Sequence, residues 1–346
     1  MIIWNAEFNY WCKPNIFNLN DWQTGLIPLL IKDNYSWDKK FNKVASVYTI
    51  HNIAYQGSFS TETLSKAELN IEHFNAPGEI EHEGKVNFMK AGISFADVIT
   101  TVSENYAKEL QTPEFSFGMD TTLNYRKNDF FGILNGIDDS IWNPEVDEFI
   151  VQKYSAKTIV EKEKNKIELL KRFNLPFNKN TPIVGIVSRL VSQKGIDLFL
   201  SSMDYLLGLD IQWVILGSGD YNLEQKLNEY VANYSDKVGV YLGYNNELSH
   251  LIIAGSDMFL IPSQFEPCGL TQMYSLKYGT VPVVRNTGGL SDTVFDWDDR
   301  LSRGDTDGNG FSFNDYNGYA LTNAIERAVY SFTNKKLWKQ IQNNGM

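Results

Sequence analysis

Along most of this chain, short apolar and β-branched runs alternate with longer stretches of helical period. In the second half the runs Ile183–Arg189, Gln212–Leu216, Val238–Leu242, Met258–Ile261 and Val281–Val284 read as strands. Their nearly unbroken apolar character predicts burial on both faces. Between them, Ile196–Leu207, Leu223–Tyr234, Asn246–Ala254 and Leu270–Tyr278 read as helices, so this half predicts a doubly wound α/β domain. The first half is sparser. Val44–Ile50, Val98–Val102 and Phe131–Leu134 read as strands, with Trp22–Ile31 and Asn87–Phe95 as helices. The strip Ile159–Asn174, IVEKEKNKIELLKRFN, is amphipathic and rich in Lys and Glu, which predicts an exposed helix bridging the two halves. The expected organisation is a first α/β domain over 1–140, a linker with its bridging helix over 141–180, and a second domain over 181–346.

Composition narrows the function. The 346 residues are 43% apolar, 14% aromatic and 21% charged, with a net charge of −11. That acidity disfavours nucleic acid or an anionic membrane as partner. An acidic protein that binds an anion must gather its cations locally, so Arg and Lys beside glycine turns gain meaning. Two cysteines, Cys12 and Cys268, cannot build a disulfide framework. No run of roughly twenty apolar residues and no basic-then-apolar leader occurs, and a cytoplasmic location is expected.

The chemistry concentrates where strands end. I-V-S-R-L-V-S-Q-K-G-I-D-L, Ile186 to Leu198, is a strand followed by a loop carrying Arg189, Lys194 and Gly195, then a helix. Cations at the carboxyl end of a parallel strand lie where doubly wound sheets hold ligands. A planar guanidinium and a point-charge ammonium suit a diphosphate, although an ordinary solvated loop would look the same. S-Q-F-E-P-C-G-L-T-Q, from Ser263, follows the next strand. The N–H groups of Gly269, Leu270 and Thr271 would open a helix there and favour an anion. Glu266 could grip sugar hydroxyls or balance positive charge, whereas a bland reading makes it a solvated residue beside a capped helix. Cys268 reads as a packing residue, since no His stands near it in sequence. T-G-G at Thr287–Gly289 permits close backbone approach, a weak signal alone. L-G-S-G-D at Leu216–Asp220 lacks the third glycine of a dinucleotide fingerprint, which disfavours a dehydrogenase. His51, in T-I-H-N-I-A-Y-Q-G, and Asn135, in N-G-I-D, also follow strands. D-T-D-G-N-G at Asp305–Gly310 opens like a calcium loop, but Tyr316 occupies the twelfth position where a bidentate Glu is required, so it reads as a surface turn.

Taken together, H-N-I-A-Y-Q-G, K-V-N-F-M-K-A-G, G-I-L-N-G-I-D, S-R-L-V-S-Q-K-G-I-D-L and S-Q-F-E-P-C-G-L-T-Q-M-Y-S-L-K-Y-G-T-V-P-V-V-R-N-T-G-G-L resemble the bacterial glycogen synthases and plant starch synthases that use ADP-glucose. The likeness runs from about Asn20 to the end. It implies an α/β fold of GT-B type, two Rossmann-like domains facing a cleft. It also implies transfer of glucose from an ADP-glucose donor to the non-reducing end of an α-1,4-glucan, glycogen or starch, with retention and with neither metal nor cofactor. By the same likeness Arg189 and Lys194 neutralise the diphosphate, and Glu266 with the Cys268, Gly269, Leu270 and Thr271 backbone holds glucose and phosphate. Tyr244 stacks on adenine. His51 lies against the transferred glucose with Asn135 and Gln193, and Asp21, in N-D-W-Q-T-G-L, is a cleft-facing aspartate. Tyr274 stands where many retaining GT-B enzymes carry a second Glu.

One departure stands out. Family members open with a K-T-G-G-L type loop, and here no glycine precedes Gly25. The first domain is therefore expected to be incomplete. That leaves an alternative: a catalytically silent fragment that binds nucleotide or glucan, or one that needs a separate N-terminal piece. A glycan phosphorylase would need a lysine region for pyridoxal phosphate that the sequence does not offer.

Overall fold

A computed structural model of the protein describes residues 14–41, 43–75 and 78–346; Cys12 and the opening I-I-W run lie outside them. The chain divides into two compact units, Met1–Leu134 and Asn135–Met346.

In the first unit, β1 (Ile16–Asn20), β2 (Ala45–Ile50), β6 (Val98–Thr101) and β7 (Phe130–Gly132) form a sheet in the order β1-β2-β6-β7, and every pairing is parallel. A small antiparallel sheet of β3 (Ser58–Phe59), β5 (Lys85–Asn87) and β4 (Glu81–His82) lies within the same unit. β1 escaped the sequence reading because its residues, IFNLN, alternate with asparagine and only Leu19 is buried. The expected helix Trp22–Ile31 is two elements, a 3-10 turn at Trp22–Thr24 and a helix α1 at Ile27–Lys32. Between them Gly25 presses on the chain, where a Cβ would stand 2.0 Å from the Phe88 carbonyl oxygen. Asn87 caps α2 (Phe88–Phe95) by accepting from the Lys90 N–H.

The second unit is a six-stranded parallel sheet in the order β10-β9-β8-β11-β12-β13, built from β8 (Ile183–Val187), β9 (Gln212–Gly217), β10 (Val238–Leu242), β11 (Met258–Ile261), β12 (Val281–Arg285) and β13 (Phe311–Phe313). Its side chains alternate between two cores. Val184, Ile186, Trp213, Ile215 and Leu260 join one, and Ile183, Val214, Leu216, Phe259 and Ile261 join the other. Two buried faces explain why these strands read as unbroken apolar runs. The order reverses between β8 and β11, so the loops after those two strands flank a topological switch point.

The strip expected as an exposed bridge is corrected. Its α-helical part, α3 (Lys162–Arg172), buries Lys162, Asn165, Lys166, Leu169 and Leu170 within the second unit. Its apolar stripe faces the core, and its lysines are held by oxygen. Lys162 Nζ donates to the Ala254 carbonyl at 2.6 Å and to Thr280 Oγ1 at 2.6 Å, while Lys166 Nζ donates to Asp257 Oδ2 at 2.7 Å. Beyond α3 come α4 (Ile196–Ser201), α5 (Tyr221–Asn233), α6 (Asn246–Gly255), α7 (Thr271–Lys277), α8 (Gly288–Thr293), α9 (Gly318–Thr333) and α10 (Lys335–Gly345). Among the described residues no helix is long and apolar enough to cross a membrane.

Candidate active site

The loop after β8 carries Arg189, Gln193 and Lys194 and ends at Gly195, whose φ is 70°. A Cβ there would stand 2.0 Å from the Pro262 carbonyl oxygen. Only glycine lets this loop lie against the end of β11. The loop after β11 meets it through the Gln264 N–H, which donates to the Gln193 carbonyl at 2.9 Å. Lys194 Nζ then donates to Glu266 Oε2 at 2.6 Å, and Ser263 Oγ donates to the same oxygen at 2.9 Å. Of the two roles the sequence left open to Glu266, balancing positive charge is the one visible here. Arg189 is exposed and lies beside Gln193, its Nη2 donating to Oε1 at 3.4 Å.

Cys268 is buried, and burial pushes its thiol up from the ordinary range, which agrees with a packing residue; Asn135 hydrogen-bonds to it. Gly269 has φ 70°, and α7 begins two residues later at Thr271. The N–H groups of Gly269, Leu270 and Thr271 donate to no acceptor among the described residues. No side chain caps this helix start. The close approach that Thr287-Gly-Gly permits is made to the E-P-C backbone. The Gly289 N–H donates to the Glu266 carbonyl at 3.1 Å, and a Cβ on Gly288 or Gly289 would meet the Glu266 or Cys268 carbonyl oxygen at 2.0 or 2.1 Å. These glycines let α8 buttress the E-P-C backbone. Tyr244 follows β10 at the same carboxyl edge of the sheet and is 87% exposed.

In the first unit, Asp21 and His51 come together after β1 and β2. Asp21 Oδ1 accepts from the His51 backbone N–H at 2.9 Å, and His51 Nε2 lies 2.9 Å from Asn20 Oδ1. Asp21 holds a left-handed φ of 54°.

Sequence reasoning missed two supports. Arg285, ending β12, donates from Nη1 to the Gln264 carbonyl, and from Nε to the Asn314 carbonyl at 3.2 Å. The Tyr316 hydroxyl lies 3.1 Å from Asp197 Oδ1 and 3.3 Å from the Ser192 carbonyl. Both steady the loops after β8 and β11 from a distance in sequence that no local pattern reveals. The Asp305–Gly310 stretch is a loop whose Asp305 and Asp307 pair with Arg300, and no cluster of metal-ligating side chains occurs among the described residues.

Two family models match, the starch synthase catalytic domain over residues 2–125 and glycosyl transferases group 1 over 168–345. The glycogen synthases of Thermosipho africanus and Thermotoga maritima are each 44% identical over 335 residues, 96% of this chain and 68% of theirs. The chain belongs to the glycogen and starch synthase family of glycosyltransferases. The catalytic domain of Arabidopsis thaliana starch synthase IV, bound to ADP and acarbose, superposes with a TM-score of 0.89 at 36% identity, over 99% of this chain and 70% of that one. Sucrose-phosphate synthase from Thermosynechococcus elongatus, with a TM-score of 0.60 and 17% identity, shares the fold. The resemblance read from the motifs and the α/β fold of GT-B type it implied are therefore borne out, and this member of the synthase family is a glycosyltransferase.

Proposed function

We propose that the chain transfers glucose from ADP-glucose to the non-reducing end of an α-1,4-glucan, with retention at the anomeric carbon, and that it works in the cytoplasm. The observation that carries this reading is the gathering of Arg189, Lys194 and the free N–H groups of Gly269–Thr271 at the switch point of one sheet. The ADP in the similar starch synthase supports the choice of nucleotide. Breaking the glucosyl C1–O bond leaves an added negative charge on the departing diphosphate. Fixed cations and N–H dipoles stabilise that charge as it develops, without solvent having to reorganise. Lys194 is preorganised by Glu266 and exchanges this carboxylate, in part, for phosphate oxygen when donor binds. Glu266 and the Cys268–Thr271 backbone hold the sugar and phosphate, Tyr244 stacks on the adenine, and Asn135 and Gln193 assist at the glucose. Asp21 and His51 serve the glucosyl and glucan side. In an acidic chain such a local concentration of cations has an anionic ligand as its natural purpose.

The test is incorporation of labelled glucose from ADP-glucose into glycogen, with UDP-glucose as comparison. The native chain is expected to transfer from the ADP donor, and Lys194→Ala or Arg189→Ala to lose about 10²–10³-fold in kcat. Near-normal turnover in either variant would remove the diphosphate assignment. A native chain that binds ADP yet transfers nothing would instead be a nucleotide- or glucan-binding module.

A further inference from the structure

Between Asn135 and Ile150 the chain forms neither helix nor strand, yet its side chains grip α7 and the loop that leads into it. Asn135 hydrogen-bonds to Cys268, Asp139 pairs with Lys277 at 3.1 Å, and Asp147 Oδ2 accepts from the Tyr278 hydroxyl at 2.5 Å. Between these points the Trp142 ring stacks on two others. It lies 3.9 Å and 7° from Tyr274 of α7, and 3.7 Å and 9° from His250 of α6. Two rings so near one centroid can only take its opposite faces, so Trp142 is the middle of a three-ring sandwich. Most aromatic pairs settle about 4.5–7 Å apart, offset or edge to face, so this sandwich is tighter than ring attraction alone selects. Its members are held from outside. The buried His250 places Nδ1 2.8 Å from Asp147 Oδ2, and the Trp142 N–H donates to the Asp138 carbonyl at 2.8 Å.

The consequence falls on the donor side. The Tyr274 N–H donates to the Leu270 carbonyl at 2.9 Å, so the ring that Trp142 holds sits one turn from the Gly269–Thr271 backbone. Gln272, two positions before Tyr274, projects from the other side of α7. Its Nε2 donates to the Cys268 and Gly269 carbonyls at 2.9 and 3.0 Å. The backbone that enters α7 is therefore clamped from within by Gln272 and from without by the stack. Trp142 and Tyr274 are only partly buried and cover the hydrophobic core rather than fill it. Packing alone therefore asks little of this geometry, whereas a displacement of about 1 Å at a reacting centre can cost about 10²-fold in rate.

We infer that Trp142 is a positioning residue for glucosyl transfer, which through its stack on Tyr274 and His250 fixes the aim of the Cys268–Thr271 backbone at the donor's sugar and phosphate. This rests on the donor-site reading proposed above. The test compares Trp142→Leu, Tyr274→Leu and their double variant with the native chain, by calorimetry with ADP and by initial rates of transfer from ADP-glucose to glycogen. Each single variant is expected to raise the Kd for ADP about three- to tenfold at undiminished binding stoichiometry, and to lower kcat about 10- to 100-fold with the KM for glycogen within about twofold of native. Loss of folded protein would instead lower the stoichiometry and leave the Kd as it was. The double variant should be no worse than either single one, because both break the same stack. Trp142→Phe and Tyr274→Phe, which keep a ring, should recover most of the loss. Native Kd and kcat in Trp142→Leu, a fall in stoichiometry alone, or losses that multiply in the double variant would overturn the inference and leave the donor-site reading standing. A native chain that does not bind ADP would remove that reading and the inference with it.

Discussion

At the residue scale, the Lys194–Glu266 pair sets opposite charges against each other in the candidate site. Lys194 is 20% exposed and Glu266 10%, so an unpaired ammonium or carboxylate here would bear a desolvation cost. Paired, each side chain meets the other at 2.6 Å, and their geometry is fixed. The carboxylate nevertheless opposes the diphosphate that Lys194 is proposed to receive. Glu266→Gln keeps the shape and removes that opposition. ADP binding should therefore tighten several-fold, a gain of about 1 kcal/mol, while glucosyl transfer falls because the sugar loses its charged acceptor. Calorimetry with ADP checks the first half and the transfer assay the second. Weaker ADP binding in this variant would mean that Glu266 supports the nucleotide rather than tempering its charge. Glu266 became a candidate from its place after a strand. That Ser263 and Lys194 share one of its oxygens was not, because the contact joins positions 72 residues apart.

At the scale of elements, two loops must keep a fixed spacing, and side chains from a third segment set it. Arg285 fastens the Gln264 carbonyl, the Gln264 N–H fastens Gln193, and the Tyr316 hydroxyl reaches Ser192 and Asp197. The hydroxyl is partly buried and hydrogen-bonded to a carboxylate, and burial followed by Asp197 raises its pKa to about 12. It therefore stays protonated, a donor across the working pH range. Tyr316→Phe keeps the ring on Arg285 and deletes only these bonds, a loss of about 0.5–1.5 kcal/mol. The Kd for ADP should rise between about two- and tenfold with the KM for glucan unchanged, and an unaltered Kd would show that the loop keeps its form without this strut. Elements were legible where their pattern was local. β8, β9 and β11 declared themselves because both faces are buried, whereas β1 and the three-residue edge strand β13 carry too little apolar pattern to be seen. Tyr316 stands in the sequence only as the twelfth position of a calcium-like loop, whereas its hydroxyl reaches Ser192, 124 residues away.

At the scale of the whole molecule, the candidate residues fall into two sets on separate units. Arg189, Lys194, Tyr244, Glu266 and the Gly269–Thr271 mouth all belong to Asn135–Met346, while Asp21 and His51 belong to Met1–Leu134. If the first set grips the nucleotide and the second attends to sugar and glucan, binding and transfer separate by mutation. His51→Ala and Asp21→Asn should leave the Kd for ADP within about twofold of native while lowering kcat by about 10²-fold, because an interaction realised mainly in the transition state changes turnover without changing affinity for the departing nucleotide. Asp21→Asn is the gentler probe: asparagine keeps the size of the side chain and an acceptor for the His51 N–H. Arg189→Ala and Lys194→Ala should lose ADP affinity and turnover together. Equilibrium binding of ADP measured beside single-turnover transfer distinguishes the two patterns. A His51 variant that bound ADP poorly, or a Lys194 variant that bound it normally, would require a different assignment of nucleotide and sugar between the units.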